Sequence, residues 1–151
     1  VTAYKNALQF VADNYPNSEK GKNARQILTD QIPFLEKMEF NSVETGNWKI
    51  LYKVGKKEDN DTKALEEKLK KFFKENDFQI LSYSYDFYNE NESFITIHGL
   101  NSAAFANNIV AKIQEDKSAE SKQTAIVVTN QNYKVIQIKK NLNAYLVLKN
   151  Q

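Results

Sequence analysis

Residues 78–100 constrain this chain more than any other stretch. Gln79-Ile80-Leu81-Ser82-Tyr83-Ser84-Tyr85-Asp86-Phe87-Tyr88 and Ser93-Phe94-Ile95-Thr96-Ile97-His98-Gly99 alternate in period two, with β-branched and aromatic residues at strand positions, and Asn89-Glu90-Asn91-Glu92 between them is polar. The spacing predicts a β-hairpin. Helical patterns flank it and a further strand lies beyond each helix. On the near side, Trp48, Ile50, Tyr52 and Val54 share one face of a strand, and Leu65, Leu69, Phe72 and Phe73 form a helical stripe, opened by Asp61 or Thr62 as cap. On the far side, Asn101 or Ser102 caps a helix carrying Phe105, Ala106, Ile109 and Ile113. A polar loop, 115–122, then leads to the doubly apolar strand 124–129. The order is β-α-β-β-α-β.

The ends add helices. Ala3, Tyr4, Ala7, Leu8, Val11 and Ala12 recur at helical spacing, and Tyr15-Pro16-Asn17-Ser18 stops that helix. Asn17 or Ser18 caps a second, with Ala24, Ile27, Leu28 and Ile32 apolar. Pro33 removes a backbone donor and forces a kink or restart. Ala3, Ala7 and Ala24 are small enough for close helix contact. After the turn 130–132, residues 133–138 read as a fifth strand, and a last helix begins near Asn141 with Leu142, Tyr145, Leu146 and Leu148. The expected architecture is α+β: a ferredoxin-like βαββαβ sandwich over 41–151 with an added C-terminal strand and helix. A helical hairpin over 1–40, of the kind that stacks in helical repeats, precedes it and would close a longer repeat array.

Few residues suit catalysis. The absence of cysteine removes thiolate chemistry, disulfides and sulfur-ligated metals. The single histidine, His98, excludes a two-histidine metal site, and neighbouring sequence supplies no nucleophile. The acidic clusters 58–61 and 90–92 lack calcium-loop spacing and read as solvated turns. Four glycines, at 21, 46, 55 and 99, form no phosphate-binding loop. A net charge of +2 predicts no steering toward nucleic acid. No cofactor, no metal and no catalytic residue is expected. Aromatic side chains carry more information: Tyr83, Tyr85 and Phe87 share one side of a strand, and Trp48 and Tyr52 one side of another. They either fill a core closed by the terminal helices or present a protein or glycan surface. The third strand lacks the basic, glycine-containing signature of an RNA-binding sheet.

Two stretches resemble known families. Residues 3–11, with Tyr15-Pro16-Asn17-Ser18 and Ala24-Arg25-Gln26-Ile27-Leu28, resemble a tetratricopeptide (TPR)-type helix pair of outer-membrane lipoproteins. Residues 125–130, then 132–142 with Tyr145-Leu146, are similar to the C-terminus of the SprE/PorW lipoproteins of type IX secretion and gliding motility in Bacteroidota. Residues 48–54 and 97–100 agree with that likeness. The resemblance implies a periplasmic, outer-membrane-associated adaptor that binds other secretion-complex subunits, either translocon or trans-envelope motor components. It would touch the membrane only through an upstream lipid anchor. The family has no known catalytic residue. The expected interaction residues are Trp48, Tyr83, Tyr85, Phe87, Tyr133, Gln137, Asn141 and Tyr145. The alternative is a peptidoglycan-binding module resembling sporulation-related domains, which share the β-α-β-β-α-β order but have a pseudo-repeat and glycine pattern missing here.

Overall fold

The computed structural model describes residues 1–116 and 122–151; most of the predicted 115–122 loop lies outside them. The elements are helices α1 (Thr2–Asn14), α2 (Glu19–Asp30) and α3 (Ile32–Glu36), strand β1 (Trp48–Val54), helix α4 (Asn60–Glu75), strands β2 (Ser82–Phe87) and β3 (Ser93–Leu100), helix α5 (Ala103–Glu115), strand β4 (Ala125–Thr129), and helices α6 (Asn130–Lys139) and α7 (Leu142–Lys149). The fold is α+β, with a four-stranded antiparallel sheet. By internal contacts the chain divides into two units, Asn41–Tyr133 and Val1–Phe40 with Lys134–Gln151. Residues 134–151, grouped with 41–133 on sequence, thus pack with the N-terminal helices instead.

In the Asn41–Tyr133 unit the strand order is β2-β3-β1-β4, every neighbouring pair antiparallel. Period two along β1 sends Trp48, Ile50, Tyr52 and Val54 to one face. There they meet Leu65, Leu69 and Phe72 of α4, Ala106, Ile109 and Ile113 of α5, and Ile95 and Ile97 of β3. Leu65 and Leu69 are wholly buried, and burial of one such side chain contributes ~1.5–3 kcal/mol. The same alternation sends Lys49, Leu51, Phe94, Thr96, Ser84 and Asp86 to the other face. Between β1 and β3 the pairing moves from Trp48↔Leu100 to Ile50↔Ile97, two residues on β1 against three on β3. The extra residue is a bulge at His98-Gly99, and it lets Ile97 and Leu100 both reach the core. Gly99 has φ +94°, and a Cβ there would lie 2.2 Å from the Ile80 carbonyl oxygen, so the bulge requires glycine.

Ser102 caps α5, its Oγ accepting from Phe105 N at 3.1 Å. For α4 the cap position is Asp59, and Asp61 and Thr62 lie inside the helix. The Asp59 carboxylate is drawn off to accept from Lys56 N at 2.9 Å. The linker before β1 is tied by Asn132, 1% exposed, whose Oδ1 accepts from Asn41 N at 2.8 Å and whose Nδ2 donates to Asn41 O at 3.1 Å.

In the other unit, α1 and α2 pack as the expected hairpin. Ser18 caps α2, accepting from Gly21 N at 3.0 Å and donating to Tyr15 O at 2.8 Å. The chain folds back so tightly there that a Cβ at Gly21 would sit 1.8 Å from Tyr15 O. The close helix contact uses Ala12 and Ala24, at 1% and 3% exposure, whereas Ala3 and Ala7 are exposed. Helix α2 ends before Pro33 and α3 restarts around it. Ile32, Val135, Ile136, Leu142 and Tyr145 are buried, and the Phe40 and Tyr145 rings lie 5.2 Å apart.

The fifth strand expected at residues 133–138 is helical. Buried positions fall at 132, 133, 135 and 136, a helical rather than a period-two rhythm. The Thr129 hydroxyl also accepts from Asn132 N at 3.2 Å, which caps the new helix inside what reads as a turn. Local β propensity loses to the cap and to burial of one helical face.

Candidate functional site

The sheet face opposite α4 and α5 carries a polar cluster within the Asn41–Tyr133 unit. Period two puts Ser84 and Asp86 on that face of β2, Thr96 and His98 on that face of β3, and Lys49 on that face of β1, and Tyr133 of α6 lies against them. Lys49 Nζ lies 2.8 Å from His98 Nδ1, His98 Nε2 lies 2.6 Å from Ser84 Oγ, and Ser84 Oγ donates to Asp86 Oδ1 at 2.7 Å. The Tyr133 hydroxyl donates to Asp86 Oδ2 and lies 3.4 Å from Thr96 Oγ1. Lys49 Nζ also stands 5.7 Å from the centre of the Tyr133 ring, a cation–π distance.

The donors fix the direction of this chain. Ser84 has one proton and Asp86 receives it, so toward His98 the serine accepts, and Nε2 carries the imidazole hydrogen. Nδ1 is then the lone pair that receives the Lys49 ammonium. Burial and Lys49 hold the His98 pKa below its ordinary 6.5, against the pull of Asp86. Burial pulls Lys49 down as well, and Asp86 pushes it back. Burial alone would raise Asp86. Hydrogen bonds from Tyr133, Ser84 and Thr96, with His98 nearby, outweigh it and hold the carboxyl below its ordinary range.

A serine beside a histidine suggests a nucleophile, but this geometry opposes one. A general base needs a free lone pair facing the hydroxyl, and His98 presents N–H there. Asp86, the group that does face the Ser84 proton, is a weakened base. What the cluster can do is cross-link β1, β2, β3 and the start of α6 through side chains.

The predicted interaction residues are dispersed. Trp48 is 7% exposed and sits in the core. Tyr83 and Tyr85 are half-buried on the helix-covered face, not on an open one: the Tyr83 hydroxyl donates to Glu66 at 3.0 Å, and that of Tyr85 to Gly55 O at 2.8 Å. Burial, then the Glu66 bond, raises the Tyr83 pKa. Tyr52, beside them, has its hydroxyl buried with no hydrogen-bond partner among the described residues, and burial pushes its pKa up to about 12. Phe87 is 66% exposed. Tyr133 belongs to the polar cluster. Gln137 accepts from Lys140 Nζ at 3.0 Å, Asn141 precedes α7, and Tyr145 is core at 1% exposure. Sequence reading missed Lys49, Ser84, Asp86 and Thr96 as a group. Their signal was the polar half of the period-two pattern, which only strand register could assemble.

The acidic turns are engaged locally. Asn89 Oδ1 accepts from the Asn91 and Glu92 amides, both at 2.9 Å, and Lys53 bridges Glu92 at 2.9 Å. Lys53, Asn91 and Glu92 line a shallow depression of about 570 Å³ with Asp59, Thr62 and Gln123. Among the described residues no three Asp, Glu or His side chains converge as metal ligands, and no helix is long and apolar enough to cross a membrane. No protein-family model, curated protein or solved structure matches the chain.

Proposed function

We propose that this chain is a non-catalytic protein–protein interaction module, an adaptor, built from a TPR-like hairpin and a ferredoxin-like α/β unit. The observation that carries this reading is on α1. Tyr4, Leu8 and Val11 recur at i, i+4 and i+7 on one line of the helix, and Tyr15 follows just past its end; Leu8 and Val11 are half-buried, while Tyr4 is 48% and Tyr15 57% exposed. Two large aromatic side chains left in water at the two ends of this helix favour a further surface that covers them. The inactive polarity of the Ser84–His98 pair supports the non-catalytic part. Counted from the other edge, the strand order is 4-1-3-2, with a helix joining β1 to β2 and another joining β3 to β4; this supports the ferredoxin-like assignment.

The resemblance to SprE/PorW lipoproteins supplies the setting: the periplasm, at the outer membrane, among type IX secretion and gliding subunits. The test sets pull-down of envelope complexes against co-sedimentation with purified sacculi. Recovery of outer-membrane secretion proteins, lost on Tyr4→Glu with Tyr15→Glu, is the expected result. Retention on sacculi without protein partners would replace the adaptor by a peptidoglycan-binding module.

A further inference from the structure

Strand β2 is an edge of the sheet. One side pairs with β3 in six unshifted pairs, and among the described residues no strand pairs with the other. Exposed edges are commonly blunted by lysine, proline or a bulge. Ser-Tyr-Ser-Tyr-Asp-Phe has none of these, and its one charge, Asp86, is bonded by Ser84 and Tyr133.

We propose that β2 pairs antiparallel with β2 of a second copy of this chain, about a two-fold axis at Tyr85, joining two four-stranded sheets into one. This goes beyond the adaptor reading and rests on a different surface. The register follows from the faces. A two-fold perpendicular to the sheet keeps each face on its own side, so odd residues meet odd and even meet even. With the axis at Tyr85, the two Tyr85 residues face each other, Tyr83 of each copy meets Phe87 of the other, and Ser84 of each meets Asp86 of the other. Aromatic rings then pair on the helix-covered side, and on the opposite side the two Asp86 carboxylates are kept apart, each still bonded by its own Ser84 and Tyr133. Shifting the axis to Asp86 would oppose two carboxylates. Shifting it to Ser84 would leave Phe87, 66% exposed, opposite Leu81, outside the strand. An isologous pairing also closes on itself, whereas pairing β2 with β4 would propagate. The contact is short beside the ~1,200–2,000 Å² of stable complexes, so the dimer is concentration-dependent.

The chain has no cysteine, so single substitutions report the register directly. Opposed residues in antiparallel strands have Cα atoms about 4.5–5.5 Å apart, within disulfide reach. Under one oxidant, Tyr85→Cys is expected to form at least tenfold more disulfide dimer than Phe87→Cys, whose two sulfurs would lie about 13 Å apart along the strand. An equimolar mixture of Tyr83→Cys and Phe87→Cys should cross-link to a mixed dimer. By sedimentation, the mass of the unaltered chain should rise toward twice the monomer with concentration. Phe87→Lys, at an exposed position, should keep the fold and weaken association at least tenfold. A chain monomeric at every concentration, a Phe87→Cys variant that cross-links as well as Tyr85→Cys, or capture of another protein's extended segment by monomeric β2 would each overturn the proposal.

Discussion

His98 Nδ1 receives the Lys49 ammonium at 2.8 Å, so the imidazole is neutral with its hydrogen on Nε2. Protonating it would set N–H against ammonium. Nitrogen-15 NMR should show the Nε2–H form at pH 7, with the ring titrating below 6.5. The unfolded chain binds this proton more readily than the folded one. The stability from His98 is therefore complete above pH 6.5 and is lost as pH falls from 6.5 through the lowered folded value. Lys49→Met removes one of the lowering causes and should move the His98 titration upward.

Tyr133→Phe deletes a hydroxyl donor from the Asp86 carboxylate while keeping the ring against Phe94, whose centroid lies 6.2 Å away. A hydrogen bond to a charged group is worth ~1.5–3 kcal/mol. Because Asp86 is only half-buried, a loss near the lower end is expected in denaturant unfolding. Asp86 is held below its ordinary 3.8, so its contribution is present above that pH and is lost as pH falls through the folded value. The variant should titrate Asp86 higher and show a smaller loss of stability in acid.

Asn132 answers both backbone groups of Asn41 with the two ends of one amide. Asn132→Asp keeps the acceptor but turns the donor into a second oxygen facing a carbonyl. Buried as it is, the change should cost about 1–3 kcal/mol. Amide hydrogen exchange should show the loss of protection first in the linker before β1.

Gly99→Ala combines a positive φ with a Cβ driven into Ile80 O. The expected cost exceeds ~1 kcal/mol, since backbone strain and the clash add. Gly46 is the control: it too has a positive φ, +87°, but open space around it, so Gly46→Ala should cost less. Thermal unfolding of the two variants side by side checks this order.

The α/β unit was legible wherever periodicity and burial coincide. Residues 48–54 and 82–87 alternate in sequence and the apolar stripes of α4 and α5 are buried in the same core, whereas β3 is buried at five successive residues, 93–97, and its two faces do not separate by burial. Residues 133–138 were not legible because β-branched Val135, Ile136 and Ile138 carry strand propensity, while the deciding hydrogen bond comes from Thr129, a residue that reads as strand. The polar cluster was hidden for another reason. Lys49, Ser84, His98 and Tyr133 stand 14 to 49 residues from their partners, and only the registers of β1, β2 and β3 bring them together. Of the expected interaction residues in the tail, Tyr133 joins the polar cluster, while Gln137, Asn141 and Tyr145 divide between a helix surface, a helix start and a core.

The central claim is that the chain works by binding protein partners. The most direct measurement is photo-crosslinking in native cells with mass spectrometry, with photoreactive residues at Tyr4 on α1 and Tyr15 just past its end. Crosslinks from both positions to one envelope protein, absent from a buried control at Ala12, are the predicted result. Crosslinks confined to the chain itself, with the protein retained on sacculi, would contradict the account.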